Sequence, residues 1–475
     1  MTINNINITN SLKNVEKMLL EDKAITPQVR AMFELLVLVI NLLLAKLGVN
    51  STNSSVPPSR DINRKRGSRR KVAGEKRKPG GQPGHEGTNL QREESPDKIE
   101  ELKIDKSTLP KGTYTQAGFE ARQVIDIVIS KHVTEYQAEI LKDSEGREFI
   151  AVFPAGITRP VQYGVSVKAQ AVYMSQQQLI PYDRIRDYFK DQCGISLSAG
   201  SVFNFNKQAF GLLETFESIV KKQLIIQALL HADETGINIG GKLTWLHSLS
   251  NDLWTLFFPH TKRGSEAMLA MGILEHFHGI LCHDHWKAYF NFKCLHALCN
   301  AHHLRELERA FEQDNQKWAE KMKLLLLEIN EATKAVAGCL GEKQAEQFID
   351  CYRLILAEGD LESPAPENKN DNKPKRIAKT KSRNLLERLR NFETETLRFM
   401  TNAVVPFTNN QSENDIRMTK VQQKISGCFR SFEGAQYFCR IRSYISTCSK
   451  HGIPPTNALN SLFSGKLPEF LTLLI

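Results

Sequence analysis

The sequence predicts an α/β core interrupted by a large helical insertion and preceded by an N-terminal helix and a small β-rich domain. Three observations carry that expectation. Short β-type runs cluster between residues 225 and 284, separated by the tight-turn pairs Gly240-Gly241 and Asn251-Asp252. Helical periodicity then fills the stretch between Asp284 and Glu413, which is too long to be a loop. Ahead of both, residues 51–95 are rich in Pro, Gly, Ser and basic residues, a composition that does not build regular structure.

Taken in order, Gln28 to Leu47 is strongly helical, and Val29, Met32, Leu36, Val39 and Leu43 fall at a and d positions of a heptad. Such a stripe suits either a short coiled coil between two copies or a helix docked on its own core. Its longest apolar run, Leu35 to Leu44, is broken by Asn41 and falls far below the roughly 18 to 20 residues that span a bilayer. Neither a membrane span nor a secretory signal is expected. The linker 51–95 follows, and its Arg60 to Lys78 run carries a net charge of +8 out of the chain's +10. Within it Arg64, Lys65, Arg66, Arg69, Arg70 and Lys71 are candidate contacts to a polyanion, most simply nucleic acid.

Residues 96–160 contain two β-rich pieces, Gln123 to Ser130 and Glu148 to Phe153, and should form a small sheet. Residues 161–225 turn helical, as a helix-turn-helix or a plain helical hairpin. Residues 226–300 read as a three-stranded meander, a helix from Ser265 to His276, and a fourth strand ending at Asp284. The order β-β-β-α-β, with an acid on the first and fourth strands, matches a ribonuclease H-like core in which those strands are neighbours. Residues 301–402 form the helical insertion, 403–430 return to the core, and 431–475 are helical again. The nine cysteines begin at Cys193 and show no paired spacing, which suggests reduced thiols in the cytosol.

Three acids stand out: Asp233 in LLHADETGI, Asp284 in GILCHDHWKAY and Glu413 in TNNQSENDIR. The two aspartates follow apolar runs and should sit at or near strand ends. Carboxylates on adjacent strands suit Mg²⁺, a hard cation that takes oxygen ligands. Glu413 reads two ways, because Asn410 to Glu413 also has the spacing of a helix cap. Arg417, Lys420 and Lys424 recur with Glu413 on one helical face, as phosphate contacts or as a solvated stripe. Ten of the thirteen histidines lie between His231 and His303, which raises a rival, a His- and Asp-ligated metal phosphoesterase.

The ordered strings NSSVPPS, KPGGQPGHEG, FEARQVIDI, FPAGI, VQYG, PYDRIRDYF, HADET, CNAHHLREL, NNQSENDIR and KISGCFRS, with the segment Asp284 to Tyr289, resemble transposases of the insertion sequence 66 family over nearly the whole chain. The resemblance implies a DDE transposase with a ribonuclease H-like core. Its catalytic and metal-binding triad would be Asp233, Asp284 and Glu413, holding Mg²⁺ or Mn²⁺, as two ions. The reaction implied is 3′-end cleavage at terminal inverted repeats and strand transfer into target DNA. A homo-oligomer on DNA, accessory proteins encoded by the same element and a bacterial, nucleoid-associated location come with it. Cys299 and His302 match a Cys-x-x-His element of the family and read as structural. The chain departs from its relatives in the small β domain: where they carry two Cys-x-x-Cys pairs, it has IDKSTLPKGTY and ILKDSEGREF. Zinc is therefore not expected there, and a catalytically degenerate DNA-binding derivative is the alternative.

Overall fold

The computed structural model describes residues 25–47, 90–336, 338–366 and 378–474, with isolated positions ahead of residue 62. Helix α1 (Pro27–Leu47) forms where periodicity predicts it, and all five a and d side chains of its stripe are exposed. Of the basic cluster, Arg64 to Lys71 lies outside the described residues. No helix among the described residues is long and apolar enough to cross a membrane.

The expected small sheet is reduced to one short hairpin, Ile140–Lys142 paired antiparallel with Glu148–Ile150. Gln123 to Ser130 forms no strand, and Ile127 and Val128 are nearly fully exposed. The physical reason is the lack of a second layer over most of it. Its end, Ile129 and Ser130, lines a hollow with Val167, Tyr188 and Phe189, whereas Val124, Ile127 and Val128 are left exposed.

Helices α2 (Val165–Val172), α3 (Tyr182–Cys193), α4 (Ala199–Leu212) and α5 (Glu214–Ile225) follow. Between α2 and α3 the chain makes a π-helical turn, Tyr173–Gln177. Ser198 caps α4 by accepting from the Ser201 amide at 3.0 Å, and Gly194 ends α3 in the left-handed region.

The central sheet has five strands: β1 (Leu229–Ile239), β2 (Lys242–Ser250), β3 (Thr255–His260), β4 (Ile280–His283) and β5 (Leu295–Leu298). Their order is β3-β2-β1-β4-β5. The two hairpin pairings are antiparallel, whereas β1 with β4 and β4 with β5 are parallel. The expected adjacency of the first and fourth strands is thus present, while β5 was not anticipated. Helix α6 (Ser265–Met271) carries the crossover and is shorter than predicted, because Gly272 adopts a left-handed conformation and stops it.

The insertion comprises α7 (Asn300–Asp314), α8 (Lys317–Ala335), α9 (Glu342–Glu362), α10 (Lys381–Asn391) and α11 (Glu393–Thr401). Helical periodicity runs from Leu304 to Ala337 and from Asn384 to Phe399, but the helices break at Asn315, whose φ is +53°, and at Phe392. Helix α12 (Asn410–Ser426) returns the chain to the sheet, and α13 (Phe432–Lys450), α14 (Pro455–Phe463) and the short α15 (Glu469–Thr472) follow.

Alternation along the strands sends side chains into different cores. Leu230, Ala232, Leu249 and Leu281 pack with α2 to α6, α13 and α14, whereas Ile280, Cys282 and Ala297 pack with the insertion around Trp318 and Tyr352. Ile237, Ile239 and Phe257 meet Ile416 of α12 and Phe438 of α13 in a third cluster. The outer edge of β3 is closed by α13: the amides of Thr255 and Phe257 donate to Thr447 Oγ1 at 3.1 Å and Ser443 Oγ at 2.8 Å.

The start of β4 presses against the approach to β1 so closely that only glycine fits. A Cβ on Gly279 would stand 2.5 Å from the carbonyl oxygen of Gln227 and 2.7 Å from that of Ala228. Gly279→Ala is expected to destabilise the protein by about 1–3 kcal/mol in denaturant unfolding. Gly211→Ala, in α4 with no atom within 4 Å of the added carbon, should instead stabilise it by about 0.5–1 kcal/mol.

Candidate active site

Asp233 does not end its strand. It lies midway along β1 opposite Ser248 of β2, but beyond the short stretch where β1 pairs with β4. That pairing sets His231 against Cys282, and the same register carried two residues further sets Asp233 level with Asp284. Asp284 is the first residue after β4, and its Oδ1 accepts the Trp286 amide at 3.0 Å, which turns the chain out of the strand. His283 and His285 face aromatic and histidine rings instead: the His283 and His296 rings are hydrogen-bonded at 3.0 Å, and His285 packs on Phe392. Burial holds His283 and His303 down to about 3 and His285 to about 4, and the side chains of His283 and His285 meet other rings, not the carboxyls of the aspartates. They give the phosphoesterase reading no support.

Helix α12 lies along β1 and is fastened to it at both ends. At its start the Asn409 side chain donates to the Ala232 carbonyl at 2.8 Å and its Oδ1 lies 2.7 Å from His231 Nδ1. At its end Phe429 exchanges backbone bonds of 2.9 Å with Asn238 and Gly240. Asn409, not Asn410, is the N-cap residue, and its side chain makes no capping bond. The cap reading of Glu413 is therefore not realised, since Glu413 sits in the first turn with its Oε1 buried and lacking a hydrogen-bond partner. Arg305 Nη2 approaches that oxygen to 3.9 Å.

Electrostatics ties the three acids together. Burial, followed by repulsion from Glu234, Asp284 and Glu413, pushes Asp233 up to about 8, partly countered by the Glu234 amide. Burial also raises Asp284, against the pull of Arg263. Two buried aspartates, one of them repelled by Glu413 as well, suit a divalent cation, which would lift that repulsion and give the Glu413 oxygen that lacks a hydrogen bond a ligand role.

One network was missed in the sequence. Glu234, whose side chain is 2% exposed, accepts from Arg263 at 2.6 and 3.0 Å and from the Tyr289 hydroxyl at 2.5 Å. The Arg263 guanidinium lies 4.8 Å from the Trp245 ring centre and 4.4 Å from that of Trp286. The only local signal was a second acid directly after Asp233.

Of the basic residues on α12, Arg417, Lys420 and Lys424 are exposed as the spacing predicts, but Lys420 Nζ donates to the Gly236 carbonyl at 2.8 Å and so braces the helix on β1. Cys299 precedes α7, buried, with its sulfur accepting the Asn409 amide at 3.1 Å. His302, in the first turn of α7, is held down to about 4 by burial and by Arg305.

A five-stranded mixed sheet between helical layers, with Asp233 and Asp284 level on neighbouring strands, defines an α/β core. Residues 160–437, more than half of the chain, match the family described as Transposase IS66 family, and the chain belongs to that family. Membership places it among transposases, which act on DNA. Residues 8–91 match a family of unknown function (DUF6444). No curated protein matches the chain.

The raised Asp233 has a measurable consequence. Because its folded value, about 8, exceeds its ordinary 3.8, ionising it in the native state costs stability. That cost is absent below the ordinary value and grows as pH rises towards 8. In EDTA at pH 8, Asp233→Asn should raise the melting temperature by roughly 2–5 °C, with the gain vanishing below about pH 4. Scanning fluorimetry across that range reads the outcome.

Proposed function

We propose that the chain is a DDE transposase that binds the terminal inverted repeats of its element, cleaves at the 3′ ends and transfers them into target DNA. The observation that carries this reading is the set of three carboxyls, Asp233, Asp284 and Glu413, on two strands in parallel register and one helix fastened to them. The strand order, with β2 antiparallel to both its neighbours and the rest parallel, supports a ribonuclease H-like core. The three carboxylates would hold Mg²⁺ or Mn²⁺, as two ions. When bound, such ions activate a water or a 3′-hydroxyl and stabilise the leaving oxygen of an in-line displacement.

The protein's own groups prepare that chemistry. Arg263, clamped by Glu234 and two indole rings, eases ionisation of Asp284. Asp233, held protonated by burial and repulsion, gives up its proton as a cation arrives, so metal binding strengthens with pH. Exposed Arg417 and Lys424 follow Glu413 along α12 and offer phosphate contacts next to the acids. The exposed apolar stripe of α1 suits association of two copies. A DNA-binding derivative without cleavage is the second reading, motivated by the segment before residue 160, which carries no cysteine.

Purified protein is mixed with DNA carrying the element's ends and Mg²⁺ or Mn²⁺, beside Asp284→Asn. Nicking that falls on the order of 10³-fold in the variant is expected. Binding without cleavage by the unaltered chain selects the second reading, and cleavage that needs Zn²⁺ with Mg²⁺ inert rejects the triad. The α12 contacts are tested separately by titrating DNA affinity against salt. Arg417→Ala and Lys424→Ala should each reduce the slope of log K on log salt by about 1 without changing sequence preference.

A further inference from the structure

Cys299, His302 and Glu413 converge beside the aspartate pair. Cys299 is the N-cap residue of α7 and His302 lies three residues on, so one helix start presents both, while Glu413 arrives from the first turn of α12. The Cys299 sulfur, a His302 ring nitrogen and a Glu413 carboxylate oxygen all lie within 4.8 Å of one another. Two of these residues carry a buried atom without a hydrogen-bond partner, His302 Nδ1 and Glu413 Oε1. Unsatisfied buried acceptors are costly, and two from separate helices at one place call for a shared ligand.

The donor set names its class. One thiolate, one imidazole and one carboxylate suit a borderline-soft divalent ion of the zinc class in a four-coordinate site with one position open. Mg²⁺, which takes oxygen ligands, does not fit a sulfur donor. The surroundings already support such a ligand: the Asn409 amide donates to the Cys299 sulfur at 3.1 Å. Arg305 is the competing cation, 3.9 Å from Glu413 Oε1, and its Nε has a second anchor on the Ala301 carbonyl at 3.2 Å. Tetrahedral coordination draws donors to roughly 3.5 Å apart. Glu413, with a side chain 37% exposed, is the member free to swing inward.

We propose that Cys299, His302 and Glu413 form a second cation site, selective for a thiophilic divalent ion of the zinc class, that shares Glu413 with the aspartate pair. An ion held there takes Glu413 away from Asp233 and Asp284, so the two sites compete for one carboxylate. The competition rests on the reading of Glu413 as a ligand of the hard ions, whereas binding of the soft ion does not.

Cobalt(II) titration of the full chain without DNA tests the site. A tetrahedral spectrum with a thiolate-to-cobalt charge-transfer band at one equivalent, displaced by Zn²⁺, is expected. Cys299→Ser should abolish the band, and His302→Asn and Glu413→Gln should each weaken binding by about 10-fold or more. Circular dichroism accompanies each variant, and the half-buried His302→Asn decides the matter if Cys299→Ser unfolds. No band, or a band that survives Cys299→Ser, overturns the site. Sharing is read from Mn²⁺ binding by electron paramagnetic resonance, with no cleavage involved. One equivalent of Zn²⁺ should weaken Mn²⁺ binding to the unaltered chain and leave it unchanged in His302→Asn. Equal Mn²⁺ affinity with and without Zn²⁺ overturns the sharing, whatever the nicking assay returns.

Discussion

Parallel pairing between β1 and β4 runs for only three residues, Leu229 to His231 against Ile280 to Cys282, and the carboxyl cluster depends on it. Because β4 stops at His283 while β1 continues, the register that joins them also brings Asp284 level with Asp233 just where the sheet opens. Gly279 makes that register possible by letting the backbones approach without a side chain between them. The second side of the cluster is set by α12. A 17-residue helix rises about 25 Å and the seven steps from Ala232 to Ile239 about 23 Å, so both ends of α12 can be bonded to β1. Glu413 inherits its place from that match of lengths.

The same packing explains the tension in the site. Layers of helices that stabilise the sheet also desolvate the acids, and no full complement of cationic side chains is supplied to them. Arg263 is spent on Glu234, and Arg305 stays at the margin of Glu413. Such an imbalance is wasteful in a protein that only needs to fold, and useful in one that must attract ions.

Much of the core could be read from the chain. The meander announces itself through Gly240-Gly241, Asn251-Asp252 and alternating apolar residues, and both aspartates follow apolar runs that become β1 and β4. Strand β5 could not be read, because its four residues lie among Cys and His and lack a visible period. The helix breaks at Asn315 and Phe392 carry neither Pro nor Gly, and tertiary packing decides them. Glu413 is ambiguous locally because its spacing fits a cap, and the long-range bonds of Asn409 to His231 and Ala232, which set where α12 begins, leave no trace in that spacing. The Glu234 pairing with Arg263 spans 29 residues and leaves no local trace. In residues 96–160 the β propensity is legible, and what local sequence does not carry is how much of it pairs: the described strands there are Ile140–Lys142 and Glu148–Ile150.

The closure of β3 by α13 bears on how the chain comes off the ribosome. Thr447, which satisfies the Thr255 amide, is synthesised 192 residues after it. Until that helix emerges, the nascent sheet presents a bare edge able to pair with any extended segment nearby, including that of a neighbouring polysome. A fragment that ends between β3 and α13 keeps that edge bare for its whole lifetime, so a helix close to the chain's end guards a strand made near its middle.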